Sequence, residues 1–301
     1  MHKIINLKSS NMKIKSLSLL LLMTGFLCLN SFAQKEAYKI SLAEWSLHQA
    51  LWKGQLSNLD FPRYAKVKYG LDAVEYVSTF FKGKAEDMVY LTSLKDSCTK
   101  YGVKSLLIMV DDAGNLADTS LAVRTKSVES HYKWVQAAKF LGCHSIRVNA
   151  RGQGTMEQVA AAAYDGLKRL SEYAAGFGIN VIVENHGSYS SNGKWLSDIM
   201  KKVNKPNCGT LPDLGNFYDY DRYQGVTDMM PFAKGVSGKT HDFDANGNET
   251  QIDYAKMMKI ISDAKYTGYI DAEYEGTKLS EDEGIKASIA LIKKVIAPYN
   301  K

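Results

Sequence analysis

The chain contains 301 residues, of which 45% are hydrophobic and 23% are charged, ordinary values for a globular protein with a sizeable core. Its formal net charge is +6, but residues 1–33 carry four lysines and no acidic residue, so the remainder has a net charge of only +2. A nearly neutral chain gives no reason to expect nucleic acid as a partner.

The first 33 residues have the layout of a secretory signal peptide. Four lysines precede the uninterrupted apolar run LSLLLLMTGFLCL, and small residues follow at Ser31 and Ala33. This order predicts cleavage after Ala33 and export by the Sec route to the periplasm or the cell exterior. An N-terminal membrane anchor is the alternative, although the run is short for a span. We expect residues 34–301 to form the mature domain, with no membrane span after cleavage.

Three cysteines remain in the predicted mature part: Cys98, Cys143 and Cys208. They are far apart, odd in number and outside C-x-x-C spacing. We therefore expect buried free thiols and neither a disulfide framework nor a structural zinc.

Apolar stretches typical of buried strands recur about every 28–41 residues along the mature part. We expect strands to begin near Tyr38, Ala73, Val103, His144, Ile179, Cys208, Val236 and Tyr269. Helical patterns lie between them, for example at 120–141 and 156–176. Glycine just past a helix is a common stop signal because it accepts the left-handed conformation. Such glycines stand at Gly70, Gly102, Gly142, Gly178 and Gly268.

Eight β-α repeats within residues 34–301 predict a single α/β domain, a (β/α)8 TIM barrel. The alternative is an open doubly wound sheet. No glycine-rich G-x-G-x-x-G turn follows the first strand, as a dinucleotide-binding fold of that kind would require.

Polar residues end the last four predicted strands: Glu184 in VIVENHG, Asp213 in TLPDLGN, His241 in GKTHDFD and Glu273 in DAEYEG. Barrel strands direct their C-terminal ends to one face, so the four side chains can converge. Three carboxylates and one imidazole suit a single divalent ion, Mn²⁺, Mg²⁺, Co²⁺ or Zn²⁺. Taken singly, each residue would more often be a solvated acid or a packing histidine. Glu275 is an alternative to Glu273.

Glu184 and Glu273 are the predicted proton-transfer pair. With a substrate carbonyl held between them, one Glu could remove a proton beside the carbonyl and the other could return it. A metal ion would stabilise the enediolate formed in between. This is the chemistry of aldose–ketose isomerisation or of epimerisation.

The four strand ends, together with ISLAEWSLHQAL, LDAVEYV and LGCHSIRVN, resemble the sugar phosphate isomerase/epimerase superfamily with the xylose-isomerase-like TIM barrel. Ketose 3-epimerases and hydroxypyruvate isomerases are relatives. The resemblance implies that Glu184, Asp213, His241 and Glu273 bind one metal ion, and that a small-molecule carbohydrate is the substrate. Ketose 3-epimerases usually have His where this chain has Asn216, and an Arg that is missing from 242–248. The particular sugar therefore does not carry over.

Six further residues are candidate substrate contacts: His186, Asn216, Glu75, Trp45, His48 and Asn149. Each also has a simpler interpretation, such as a packing tryptophan, a surface histidine or a loop amide. Three tyrosines after the sixth strand could form a sugar-stacking lid: Tyr218, Tyr220 and Tyr223.

The leading prediction is a metal-dependent sugar isomerase or epimerase. The same proton abstraction could instead cleave a 3-keto-glycoside by β-elimination. A non-catalytic sugar-binding barrel with a structural ion is the alternative of another class. The sequence leaves open whether the chain forms a homo-oligomer.

Overall fold

The computed structural model describes residue 1 and residues 36–300, so the predicted signal peptide and its cleavage site lie outside the described residues except for Met1. Eight strands occur in residues 36–300. They are β1 Tyr38–Ala43, β2 Ala73–Val77, β3 Lys104–Met109, β4 Ser145–Val148, β5 Asn180–Glu184, β6 Cys208–Leu211, β7 Val236–Thr240 and β8 Gly268–Tyr274. Every predicted strand start lies within one residue of an observed one.

The α-helices of the same region alternate with these strands. They are α1 His48–Trp52, α2 Phe61–Tyr69, α3 Met88–Tyr101, α4 Leu121–Ser130, α5 Tyr132–Leu141, α6 Met156–Ala175, α7 Gly193–Val203, α8 Arg222–Met229, α9 Tyr254–Asp263 and α10 Glu281–Ile296. Short 3-10 helices follow β1 at Glu44–Leu47 and β2 at Ser78–Phe81. Among the described residues, no helix combines the length and the apolar character that crossing a membrane requires.

The eight strands form one parallel sheet in the order β6-β5-β4-β3-β2-β1-β8-β7. Its two outer strands are joined beyond the end of β6, where Asp213 pairs with Ser237 in an isolated parallel bridge. The backbone N–H of Ser237 donates to the carbonyl of Pro212 at 2.9 Å, and that of Leu214 donates to the carbonyl of Ser237 at 3.0 Å. The sheet is thus a (β/α)8 TIM barrel, which confirms the predicted fold class.

The predicted helix at 120–141 is two helices, α4 and α5, separated at His131. The ring Nδ1 of His131 lies 2.7 Å from the carbonyl oxygen of Ser127, which the backbone N–H of His131 would bond in a continuous helix. That N–H bonds the carbonyl of Val128 instead, at 3.2 Å. Local side-chain competition for a backbone carbonyl therefore interrupts the helix.

Three of the predicted glycine stops are confirmed as left-handed residues that directly follow helices: Gly70, Gly102 and Gly142. Gly178 is also left-handed, but Gly176 already caps α6. The prediction for Gly268 was wrong. It is the first residue of β8, and α9 ends at Asp263 with Ala264 as its cap.

The three cysteines of the barrel, Cys98, Cys143 and Cys208, are all buried and free, as predicted. Burial raises the pKa of Cys143 and of Cys208, which is the behaviour of a packing thiol and not of a reactive one.

We predict that Gly166→Ala destabilises the barrel even though alanine is the better helix former. A Cβ at Gly166, in the middle of α6, would lie 2.1 Å from the carbonyl oxygen of Leu116. Such overpacking typically costs about 1–3 kcal/mol, against a gain of about 1 kcal/mol in helix propensity. Urea unfolding should show a lower midpoint. Gly176→Ala is the matched control, because its new Cβ approaches nothing nearer than 3.6 Å. Equal midpoints for the two variants would contradict this account.

We predict that His131 makes the fold sensitive to mild acid. Burial lowers the pKa of His131 to about 4, with opposing contributions from the Ser127 carbonyl and Asp112. His131 therefore takes up a proton near pH 6.5 in the unfolded chain but only near pH 4 in the folded chain. The contribution of His131 to the free energy of unfolding is complete above pH 6.5, and about 3 kcal/mol of it is lost as the pH falls from 7 to 4. The loss should be smaller in His131→Gln, measured by urea unfolding at both pH values. Equal losses of stability in wild type and His131→Gln would refute this role of His131.

Candidate active site

The predicted acid residues lie at the C-terminal end of the barrel. Glu184 is the last residue of β5, Asp213 follows β6 by two residues, and Glu273 is the penultimate residue of β8. All three side chains are buried, whereas His241, directly after β7, is half-buried. Side chains of β4 and β7 lie between these acids and determine which of them contact one another.

Glu184 is held by a guanidinium from the neighbouring strand. Arg147, in β4, places Nε 2.8 Å from Oε2 of Glu184 and a terminal nitrogen 2.5 Å from Oδ1 of Asp111. The other oxygen of Glu184 accepts a hydrogen bond from Nδ2 of Asn216 at 3.0 Å. Burial alone would lower the pKa of Arg147, but the charges of Asp111 and Glu184 raise it. Both carboxylate oxygens of Glu184 are therefore engaged and its orientation is defined.

Lys239 lies at the centre of the remaining carboxylates. Its side chain, from β7, is only 2% exposed. The ammonium Nζ has three carboxylate oxygens around it: Oδ2 of Asp213 at 3.2 Å, Oε2 of Glu273 at 3.4 Å and Oε1 of Glu275 at 3.0 Å. Burial would lower the pKa of Lys239, but these acids raise it well above its ordinary value. The structure thus brings Asp213, Glu273 and the alternative candidate Glu275 together around a lysine.

Asp213 is fixed in place by the loop that it begins. Its Oδ1 accepts hydrogen bonds from the backbone N–H groups of Gly215 at 2.7 Å and Asn216 at 2.8 Å. Its own N–H donates to Oδ1 of Asn185 at 2.8 Å, and Nδ2 of Asn185 donates back to the Asp213 carbonyl at 2.9 Å. Asn185, next to Glu184 in the chain, thereby ties the end of β5 to the end of β6.

Glu273 and Glu75 lie in the barrel interior. Ser237 Oγ donates to Oε2 of Glu273 at 2.7 Å, and Ser41 Oγ donates to Oε1 of Glu75 at 2.7 Å. Burial raises the pKa of Glu273 to about 8, against the opposing charge of Lys239, and raises that of Glu75 to about 7. Glu75 is 3% exposed, so its predicted contact with substrate stays a prediction.

A second polar group surrounds His186. Its Nδ1 lies 3.0 Å from Oδ1 of Asn149 and 2.9 Å from a guanidinium nitrogen of Arg151. Asn149 Nδ2 donates to Asp111 at 2.9 Å, so this group shares Asp111 with Arg147. Burial, followed by the charge of Arg147, lowers the pKa of His186 to about 4, so the imidazole is neutral near pH 7. The candidates His186 and Asn149 are thus linked through Asp111 to the group that holds Glu184.

The candidates Trp45 and His48 belong to an aromatic cluster at the ends of β1 and β2. Their rings stack with centroids 4.9 Å apart. Trp52 approaches Trp45 edge-on at 5.4 Å, and Phe80 lies 6.2 Å away. The indole of Trp52 is 56% exposed. Trp52 and Phe80 were not predicted to lie at the site, because neither lies on a strand and only the barrel brings the two strand ends together.

Two of the three candidate lid tyrosines line one cavity. A cavity of about 550 Å³ beside the loops after β5 and β6 is lined by Tyr218 and Tyr220, together with Tyr189 and Ser191. Ser191 Oγ donates to the carbonyl of Asn216, the residue that holds Glu184. Tyr223 does not line this cavity, and its ring centroid lies 3.7 Å from Nζ of Lys256.

The predicted ligands do not form a metal site as their side chains lie. No group of three or more His, Cys, Asp or Glu side chains within residues 36–300 is arranged to hold a metal ion. Lys239 stands among Asp213 and Glu273, and Arg147 occupies one oxygen of Glu184. His241 Nδ1 is buried and has no hydrogen-bond partner among the described residues. With Lys239 and Arg147 in these positions, the four side chains do not fit around a bound divalent ion, and metal dependence stays a prediction.

Lys239 and Arg147 were not predicted to lie at the site, although the sequence contains a signal for both. Polar residues alternate with apolar or small ones along three strands: Ser145, Arg147 and Asn149; Ser237, Lys239 and His241; Asp271, Glu273 and Glu275. Successive strand residues point to opposite faces, so residues two apart share the barrel interior. Counting inward positions along each strand would have placed a cation on β4 and another on β7.

Comparison with known proteins agrees with this fold. A family model described as xylose isomerase-like TIM barrel matches residues 64–295. Similar solved structures include the IOLI protein with a binding zinc atom (16% identity, TM-score 0.70, covering 87% of this chain and 99% of that one). Another is D-psicose 3-epimerase in the presence of D-fructose (14% identity, TM-score 0.66, covering 86% of this chain and 99% of that one). A third is the 3-keto-D-glucoside 4-epimerase YcjR from E. coli (15% identity, TM-score 0.67, covering 85% of this chain and 99% of that one).

One curated relative also matches, over a short stretch. The 3'-dehydrocarminate deglycosidase alpha subunit from Microbacterium sp is 34% identical over 59 residues, which is 20% of this chain and 17% of that protein. The short match and the low structural identities transfer no activity. The family model, by contrast, covers most of the barrel. The chain belongs to the xylose isomerase-like TIM barrel family.

Proposed function

We propose that this chain is an enzyme that isomerises or epimerises a carbohydrate by moving a proton at the carbon beside a carbonyl group. The observation that carries this proposal is the pair of buried glutamates, Glu184 and Glu273, at the C-terminal end of the barrel. We call this end of the barrel its mouth. Each glutamate has a cation beside it, Arg147 at 2.8 Å and Lys239 at 3.4 Å respectively. Two buried carboxyl groups with different neighbours are the arrangement that separates the base of a proton transfer from the acid.

The chain's own residues account for each step of such a transfer. One of Glu184 and Glu273 takes the proton from the carbon beside the carbonyl, and the other returns a proton to the carbon or oxygen that receives it. Arg147 and Lys239 lie beside the two glutamates, and their positive charges favour the negative charge that builds up on the former carbonyl oxygen. Glu184 is held by Arg147 and Asn216, so its oxygens need not reorganise during the reaction.

Sugar hydroxyl groups need matching polar and aromatic partners, and the mouth offers both. The neutral imidazole of His186 and the amide of Asn149 can exchange hydrogen bonds with hydroxyl groups. The stacked Trp45 and His48 provide an aromatic face of the kind on which a sugar ring packs. Epimerases among the similar structures act, by their names, on D-psicose and on a 3-keto-D-glucoside, which supports a carbohydrate substrate here.

A second candidate reaction is cleavage of a 3-keto-glycoside by β-elimination. The short match to a 3'-dehydrocarminate deglycosidase subunit favours it. Proton abstraction beside the 3-keto group would be the same first step, after which the bond to the aglycone breaks and the electron pair leaves with the aglycone. The cavity of about 550 Å³ lined by Tyr218 and Tyr220 has the size and aromatic character to receive an aglycone.

Export of the chain is part of the proposal. The signal-peptide layout of residues 1–33 implies a periplasmic or extracellular enzyme. Such an enzyme meets free or oxidised saccharides more than sugar phosphates, which are mostly cytoplasmic. Free ketoses and keto-glycosides are therefore the substrates to test first.

We predict that the protein exchanges a substrate proton with solvent and that Glu184→Gln loses this exchange. In D₂O, NMR should show deuterium beside the carbonyl of a ketose or a 3-keto-glycoside. Loss of the carboxylate should slow exchange by at least about 100-fold, the usual contribution of a positioned acid or base. Glu86→Gln is the matched control, because Glu86 is exposed. Release of the aglycone would separate β-elimination from epimerisation.

Two outcomes would count against the proposal. Undiminished exchange in Glu184→Gln would remove Glu184 from the mechanism. Sugar binding seen by calorimetry without exchange of any tested compound would identify a binding protein in place of an enzyme.

A further inference from the structure

The central cation of the barrel mouth is an ammonium group of the chain itself. Lys239 Nζ is within 3.0–3.4 Å of three carboxylate oxygens, from Asp213, Glu273 and Glu275. An ammonium has three N–H donors and no acceptor. It donates a hydrogen bond to Glu275 at 3.0 Å, and it lies at ion-pair distance from Asp213 and Glu273.

The acids at the mouth already have counterions. Arg147 pairs with Glu184 and Asp111, while Lys239 pairs with the other three carboxylates. Crowded carboxylates repel one another unless positive charge lies among them, and a metal ion is one source of that charge. In this chain two basic side chains supply positive charge beside all five of these carboxylates.

A divalent ion and the Lys239 ammonium would compete for the same oxygens. Bonds from oxygen to such ions are about 2.0–2.6 Å long. An ion bonded to Asp213 Oδ2 or Glu273 Oε2 would therefore lie within about 6 Å of Nζ, since those oxygens are 3.2 and 3.4 Å from it. Two cations this close repel strongly in a buried site.

The loop after β6 is shaped to accommodate the lysine. A Cβ on Gly215 would lie 2.7 Å from Cγ and 3.2 Å from Cβ of Lys239. Contacts shorter than 3 Å force a displacement, so a larger residue at position 215 would require the loop or the side chain of Lys239 to move. The glycine thus lets the loop pack directly against the aliphatic stem of Lys239.

We propose that the ammonium of Lys239 takes the place of the divalent metal ion expected for this fold, so that the chain assembles its carboxylates and acts without a bound metal. Lys239 is a positioning residue, because its contacts are with Asp213, Glu273 and Glu275. The part that concerns catalysis rests on the proposed function, whereas the part that concerns metal binding does not.

Removing the charge of Lys239 should create a metal site. In Lys239→Met the carboxylates lose their cation while a side chain of similar length remains. His241, two residues after Lys239, has a buried Nδ1 without a hydrogen-bond partner among the described residues, and its imidazole interacts electrostatically with Glu275. Three carboxylates and one imidazole are a suitable set for Mn²⁺.

The experiment titrates Mn²⁺ into the EDTA-treated, dialysed protein and measures binding by calorimetry and by the EPR signal of free Mn²⁺. Wild type should contain much less than one metal per chain by elemental analysis and should bind Mn²⁺ weakly. Lys239→Met should bind one Mn²⁺ at least about tenfold more tightly, a conservative figure for removing a charge within about 6 Å. Lys278→Met, which removes an exposed lysine paired with Asp242, should behave like wild type.

Three results would overturn the inference: about one equivalent of divalent metal in purified wild type, tight Mn²⁺ binding by EDTA-treated wild type, or unchanged Mn²⁺ affinity in a folded Lys239→Met. If that variant does not fold, Lys239→Gln replaces it. If neither variant folds, the wild-type measurements decide. Proton exchange is then measured in EDTA and in Mn²⁺. Exchange that needs Mn²⁺ refutes the role of Lys239 but leaves the proposed function intact. If no sugar exchanges, the proposed function fails while the titration still reports on Lys239.

Discussion

The structure depends on two cations that lie beside the acids at the C-terminal end of the barrel. Arg147 and Lys239 each carry one positive charge, and between them they contact Glu184, Asp111, Asp213, Glu273 and Glu275. Unpaired buried carboxylates would be costly, and losing one partner of a buried pair typically costs about 3–5 kcal/mol. The two cations therefore decide both whether the strand ends can pack together and which oxygens remain free to meet a ligand.

The contacts that close the barrel also hold the site together. Asp213 pairs with Ser237 where β6 meets β7, and Ser237 Oγ also donates to Glu273 on β8. Asn185 connects the end of β5 to the same loop through two hydrogen bonds with Asp213. A shift of one strand by a single residue would turn its inward side chains outward and break these contacts together. The site is consequently as well defined as the register of the strands.

The surroundings of the acids favour sugar chemistry without selecting one reaction. A neutral His186 beside Asn149 and Arg151 provides hydrogen-bonding groups, and the Trp45–His48 stack provides an aromatic face. Isomerisation, epimerisation and β-elimination from a keto-glycoside all begin with proton abstraction beside a carbonyl. They diverge only in what the resulting enolate does next, which depends on the leaving group that the substrate brings.

The sequence by itself determined the barrel, because apolar strands at regular spacing followed by helices leave few other architectures. It also placed Glu184, Asp213 and Glu273 at strand ends. It misplaced the end of one helix at Gly268 and did not show the interruption at His131, where a side chain competes for a backbone carbonyl. Only the tertiary structure decided that β7 presents Lys239 to the acids. Alternation along a strand specifies which face a side chain occupies, whereas distances between charges on different strands are set when the barrel closes.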